Sequence, residues 1–154
     1  MPPNQIDSID GEEYVTFTID DQEYCINIMS LREIRGWTPA TPLPDAPPYV
    51  RGVINLRGSV LPIIDLAKRL DLKQSAPTER SVVMITQIGT QVIGLLADAV
   101  SDILTIDPNM VQTPPDLAPG AARSFIQGLV ALEDRMVSII SLENILSDVD
   151  REAA

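Results

Sequence analysis

Histidine is absent from the 154 residues, and cysteine occurs once, at Cys25. The first absence removes the commonest general base, the commonest nitrogen ligand for metals and any phosphohistidine relay. With a single thiol, ordinary zinc sites are excluded, and no internal disulfide can form, as suits a reducing compartment. Aromatic residues make up only 4%, few for the stacking platforms that hold single-stranded nucleic acid. Positive charge is scarce too: 11 Lys and Arg stand against 22 Asp and Glu, a net charge of −11. That balance argues against nucleic acid and anionic membrane surfaces, which need clustered basic residues. No apolar run approaches the ~20 residues that span a bilayer. Met1 to Glu13 is polar and acidic, unlike a secretory signal. A cytoplasmic protein without direct membrane binding is expected.

Motifs of catalysis are missing as well. Gly52 and Gly58 lie six apart without the lysine of a phosphate-binding loop, and no GxSxG nucleophile turn occurs. Acid pairs such as Asp20-Asp21 and Glu133-Asp134 fall where solvated turns are expected. No catalytic residue, cofactor, metal or small-molecule substrate is expected.

What is there is a repeat. Residues 49–66, displaced by 76 positions, land without a gap on 125–142, so that Gly52, Leu56, Ile63, Ile64 and Leu66 meet Gly128, Leu132, Ile139, Ile140 and Leu142. Residues 24–34, displaced by 69, land on 93–103, pairing Leu31 with Val100 and Glu33 with Asp102. The change of shift is absorbed in one proline-rich connection, 35–48 in the first copy and 104–124 in the second. A duplicated unit of about 70 residues is the simplest account. Each copy is near the smallest size that folds alone, so an apolar interface between them is expected. The carboxylates Asp65, Asp98 and Asp102 form no shared constellation, since Asp65 and Asp102 fall on Ser141 and Glu33.

Within each copy the apolar period is mostly two. Val15, Phe17 and Ile19, then Tyr24, Ile26 and Ile28, read as an antiparallel hairpin around Asp20-Asp21-Gln22. Val83 to Leu96 repeats it around Gly89. A second hairpin runs from Val50 to Ile64 around Arg57-Gly58, and again from Gly128 to Ile140 around Glu133-Asp134. Leu31 to Trp37 and Val100 to Ile106 supply one more strand each. Pro62 lacks an N–H, which predicts an edge or a bulge at that point. Five short strands per copy predict an all-β fold of two small barrels. Helix is minor: a turn or two from Asp65 to Leu70, and a short amphipathic C-terminal helix over Ser141 to Val149 presenting Leu142, Ile145, Leu146 and Val149.

Three segments carry a family resemblance: Glu33-Ile34-Arg35-Gly36 with the proline-rich connection, Tyr49 to Gly58, and Leu61-Pro62-Ile63-Ile64-Asp65-Leu66. Together with Val92 to Leu104 and Ile126 to Leu129 they resemble the CheW family, adaptor proteins of bacterial chemotaxis. The resemblance covers about residues 13–148. It implies two SH3-like five-stranded barrels, roughly 13–70 and 80–140, interleaved or in tandem within one domain over 13–150. Residues 1–12 would form a tail and 141–150 the final helix. It implies a scaffold without chemistry, held at membrane-associated receptor arrays, which binds chemoreceptor cytoplasmic tips and the regulatory domain of the histidine kinase CheA. The alternatives are a scaffold of a non-flagellar chemosensory pathway and, more remotely, a small-barrel binder of single-stranded nucleic acid.

The resemblance also assigns residues. Glu33 and Arg57, with Gly58 setting the turn, would present a charged pair to a receptor helix. Ile34, Val53 and Val100 would floor a groove beside them, with Arg51 and Gly52 in the same surface. Read from the residues alone, the pair is equally a solvated ion pair, and the three apolar residues are core positions. The connection holds five prolines between 39 and 48 and the only tryptophan, and the resemblance places kinase contacts there at Trp37, Ala40, Leu43 and Pro44. A second kinase contact would fall around Leu117, where Thr113 to Gly120 departs from the family's common pattern.

Overall fold

Alternating apolar residues become strands because one face of each can be buried while the other stays wet. The computed structural model describes residues 11–70, 72, 77–113 and 125–145. Eleven strands follow in chain order: β1 (Glu12–Ile19), β2 (Gln22–Asn27), β3 (Leu31–Gly36), β4 (Val50–Leu56), β5 (Ser59–Asp65), β6 (Val82–Ile88), β7 (Gln91–Ala97), β8 (Ala99–Ile106), β9 (Val111–Gln112), β10 (Ile126–Ala131) and β11 (Met136–Ile140). One helix, α1 (Leu66–Arg69), is capped by Asp65, whose carboxylate accepts from the N–H groups of Ala67 and Lys68. A second helical turn begins at 142, where Ser141 Oγ accepts from Asn144 N at 3.4 Å. Leu117, Leu146 and Val149 lie outside the described residues.

The strands form two sheets, ordered β8-β1-β2-β11-β10-β9 and β3-β6-β7-β5-β4. Each sheet takes its first hairpin from the other copy. β1 and β2 join β8, β10 and β11, while β6 and β7 join β3, β4 and β5. Each exchanged hairpin is joined on one side by an antiparallel ladder, β1 to β8 or β6 to β3, and on the other by a parallel one, Ile63↔Gly94 between β5 and β7 and Ile139↔Cys25 between β11 and β2. These two parallel pairs are the same pair under the repeat, which puts Ile63 on Ile139 and Cys25 on Gly94. The two copies are therefore interleaved rather than stacked end to end. Among the described residues, neither hydrogen-bond ladder closes on itself.

Irregularities repeat along with the strands. A bulge between Val50 and Gly52 recurs between Ile126 and Gly128. The register break of β3 against β6 at Leu31/Glu33 recurs in β8 against β1, between Val100 and Ile103. Such bulges bend a strand and increase its twist, which lets a short sheet curl around its own side chains. Pro62 has only β4 beside it, because the parallel pairing to β7 starts at Ile63. Its missing N–H leaves no ladder bond unmade.

Three apolar clusters fill the fold. Cys25, Ile106, Val130, Val137 and Ile139 fill the hollow of the six-stranded sheet; Leu61, Ile63, Val83, Ile85 and Leu96 fill that of the other. The largest cluster lies between the sheets, where Phe17 and Ile26 meet Met84, Ile93, Leu95 and Ile64. This is the apolar interface between the copies. Burial also pushes the Cys25 thiol up to about 12, so it is protonated and inert. Near the interface, the guanidinium of Arg69 lies 4.1 Å from the Tyr49 ring and 4.4 Å from that of Phe125. Tyr49 and Phe125 are repeat equivalents, and the carbonyl of each accepts from its own helix-cap residue, Asp65 or Ser141. The paired cation–π contact joins the copies and contributes about 1–2 kcal/mol.

Gly52 has φ +140°, and a Cβ there would come within 2.2 Å of the Thr41 carbonyl oxygen. That closeness lets Thr41 and Val53 exchange two backbone hydrogen bonds of 2.8 Å, pinning the proline-rich connection to the outer side of β4. At the equivalent Gly128, where β9 pairs with β10, a Cβ would instead come within 2.5 Å of the Val111 side chain. Replacing Gly52 by Ala should cost about 3 kcal/mol in urea unfolding, from strain plus a backbone clash. The same change at Gly36, where nothing lies within 4 Å, should cost less than about 1 kcal/mol.

Candidate functional site

Glu33 enters this site because the bulge in β3 puts it opposite Ile85, on the hollow side of the five-stranded sheet. Arg57 reaches it from the β4–β5 turn. There the backbone is left-handed at Arg57 (φ +52°) and Gly58 (φ +89°), and Asn55 Oδ1 accepts from Gly58 N at 2.9 Å. Only a glycine takes the second of these conformations without strain, so Gly58 aims the arginine. Arg57 Nη2 lies 2.9 Å from Glu33 Oε2, and Arg35 Nη1 lies 3.2 Å from Glu33 Oε1. The carboxylate thus sits between two guanidinium groups at the margin of the sheet.

Below this pair is an open depression of about 250 Å³, floored by Leu61, Ile85 and Val92 and rimmed by Arg32, Glu33, Leu56, Arg57 and Ser59. Of these, only Glu33 and Arg57 stood out in the sequence. The signal for the others was present in the repeat: Ser59 falls on Arg135 and Val92 on Glu23, changes of character at positions that otherwise match.

The remaining expected site residues fall elsewhere. Ile34 pairs with Met84 and therefore points to the face of β3 opposite Glu33; it is 44% exposed at the sheet edge. Val53 pairs with Pro62 and Thr41. Val100 belongs to the other sheet and packs against the central core. Arg51 turns inward, its Nε 3.1 Å from the buried Asp65 carboxylate and its guanidinium 6.0 Å from the Trp37 ring. Gly52 is buried under Thr41. The structure thus brings Glu33, Arg57 and Gly58 together, and gives Arg51 and Gly52 contacts that hold the connection in place. Within that connection, Trp37 and Ala40 pack partly against the five-stranded sheet's core, whereas Leu43 and Pro44 face solvent.

The same place in the other sheet is built from Asp102, Arg135 and Glu23. Arg135 Nη2 lies 2.5 Å from Glu23 Oε2 and 3.2 Å from Asp102 Oδ1, and the Thr16 hydroxyl also donates to Asp102. Hydrogen bonds from Arg135 and then Thr16 hold the Asp102 carboxyl below the usual aspartate range. Asp102 and Glu23 in turn raise Arg135.

A CheW-like domain matches residues 13–150 of this chain. The chain belongs to the CheW-like family. The chemotaxis protein CheW of Rhizobium meliloti is 52% identical over 144 residues, covering 94% of this chain and 93% of that one. The CheW of Klebsiella aerogenes is 35% identical over 137 residues, covering 89% of this chain and 82% of that one. Among solved structures, the scaffolding protein TtCheW of Thermoanaerobacter tengcongensis superposes with a TM-score of 0.78 at 30% identity, covering 85% of this chain and 89% of that one. The fold of this family is the one described above. Among the described residues, no helix is long and apolar enough to cross a membrane, and no group of three or more acidic or thiol side chains could hold a metal ion.

Electrostatics at the depression follow from its geometry. A hydrogen bond from Arg57 is the largest influence on Glu33 and lowers its pKa; Arg35 adds to it, while partial desolvation opposes both. A carboxyl lowered on folding favours the folded state above its ordinary value, and that advantage disappears as pH falls through the folded-state value. In an NMR titration the Glu33 carboxyl should therefore titrate below the usual glutamate range. Arg57→Ala should move it upward only part of the way, because Arg35 remains.

Proposed function

We propose that this chain is a non-enzymatic adaptor of bacterial chemotaxis that ties chemoreceptor cytoplasmic tips to the regulatory domain of a CheA-type histidine kinase. The proposal draws on the relatives' names, which are those of chemotaxis proteins, and on a structural neighbour described as a scaffolding protein. The observation that carries it is the depression under Glu33 and Arg57. It has an apolar floor and a charged rim. An amphipathic helix fits such a surface, laying apolar residues on Leu61, Ile85 and Val92 and polar ones against the ion pair. Receptor tips are helical, so the receptor belongs here.

Kinase binding is assigned to the connection between β3 and β4. Its prolines and its bridge to Val53 make it rigid, so little entropy is lost when Leu43 and Pro44 dock. Trp37 and Ala40, packed partly against the five-stranded sheet's core, belong to the same contact, and the counterpart connection around Leu117 would supply the second kinase contact. Such a protein works in the cytoplasm and reaches the membrane only through its receptors. A net charge of −11 keeps it off anionic lipid and nucleic acid.

The two surfaces should be separable in pull-downs with a receptor cytoplasmic fragment and a kinase regulatory domain. Arg57→Glu should weaken receptor binding about tenfold or more, about 1.4 kcal/mol, while kinase binding stays unchanged. Leu43→Asp should do the reverse. Receptor binding that survives both Arg57→Glu and Glu33→Arg would remove the receptor assignment.

A further inference from the structure

Two copies of one fold invite two copies of one binding site, and here one copy is filled. The repeat places Thr16 where the first depression has Ile85, Glu23 where it has Val92, and Val137 where it has Leu61. At the rim, Asp102 replaces Glu33 and Arg135 replaces Ser59. The backbone frame is the same, since Thr16↔Cys25 in β1 and β2 matches Ile85↔Gly94 in β6 and β7. The side chains differ, and so does the adjoining turn, which is left-handed at Arg57 and Gly58 but not at Glu133 and Asp134.

Those differences act together. Arg135 is 27% exposed and is drawn down onto Glu23 and Asp102 at 2.5 and 3.2 Å, across the position where the first sheet is open. Its Nε is buried without a hydrogen-bond partner, so the anchoring comes from the two carboxylates. A helix approaching from outside would have to displace an arginine held by two acids and then meet Thr16 and Glu23 in place of an apolar floor. In the first sheet the arginine is Arg57, whose repeat equivalent is Glu133; it comes from the turn itself, is 68% exposed and stays on the rim.

We infer that Arg135 is a built-in plug that closes the second copy of the receptor site and limits each chain to one receptor helix. This inference rests on the receptor reading above and adds the stoichiometry of that site. A specificity element of this kind works by making the unwanted binding mode costly while leaving the wanted one unchanged. In an adaptor that links two different partners, a second receptor site would let one chain join receptor to receptor and bypass the kinase.

The test is the binding ratio to a purified soluble cytoplasmic fragment of a chemoreceptor, measured by isothermal titration and sedimentation equilibrium. The parent chain should bind one helix site per chain and lose it with Arg57→Glu. A chain carrying Thr16→Ile, Glu23→Val, Glu133→Arg and Arg135→Ser should bind two, and should keep one when Arg57→Glu is added. The reciprocal pair, Ser59→Arg with Val92→Glu, installs the plug in the first depression, at one rim and one floor position. It should lower receptor affinity at least tenfold while kinase-domain binding is retained. A parent ratio of two, a folded four-substitution chain that still binds one, or an unchanged affinity in the reciprocal pair would overturn the plug. If the four-substitution chain does not fold, the reciprocal pair decides. A parent chain that binds no receptor fragment would overturn the receptor reading and the plug with it.

Discussion

Everything in this fold depends on the two parallel ladders that join β5 to β7 and β11 to β2. Each ladder inserts a hairpin from one copy into the sheet of the other. A two-stranded hairpin is at best marginally stable in water, and so is a sheet that lacks its central pair. Neither copy can therefore complete its own hollow, and the central cluster between the sheets forms only when both hairpins have crossed. The ladders also explain the small residues at the crossing points. Gly94 has no room for a Cβ, which would come within 2.6 Å of Ile63 and 2.7 Å of Val83, and its counterpart is the buried Cys25.

Exchange on this scale makes the framework rigid and leaves function to the edges. Strand registers, bulges and helix caps are held in common by the two copies, because each serves the shared core. The rims are under no such constraint, and there the copies diverge. One turn carries Arg57, which meets Glu33 above an apolar floor; the other carries Glu133-Asp134, with Arg135 folded back over Thr16 and Glu23. Similar ion-pair chemistry leaves one surface open and the other closed. The difference lies in whether the arginine stands at the tip of the turn or two residues further along, just before the returning strand.

The proline-rich connection shows how a loop becomes part of a surface. It is fastened at Thr41 by Val53, beside Gly52, and Arg51 reaches from Asp65 toward Trp37. Arg51 and Gly52, which sequence likeness places on the receptor surface, are thus tied to the placement of this connection. Leu43 and Pro44 are left exposed on it.

Strand content, the duplication, the helix caps at Asp65 and Ser141 and the scarcity of catalytic groups were all determined by the amino-acid sequence alone. Each rests on local pattern, on the period of apolar residues or on residue types that are absent. The turn at Arg57-Gly58 was legible for the same reason, whereas its pairing with Glu33 came from the family resemblance. Only the tertiary structure decided which hairpin belongs to which sheet, because a hairpin pairs as well with either copy until side-chain volume in the hollows selects one. It also decided that Glu33, and not its strand neighbour Ile34, lies on the hollow side. The sheet hollow, and no property of neighbours in sequence, determines which face of an edge strand is covered. The closing of the second depression was likewise out of reach of periodicity: it needs Glu23 of β2, Asp102 of β8 and Arg135 of the β10–β11 turn to meet at hydrogen-bond distance.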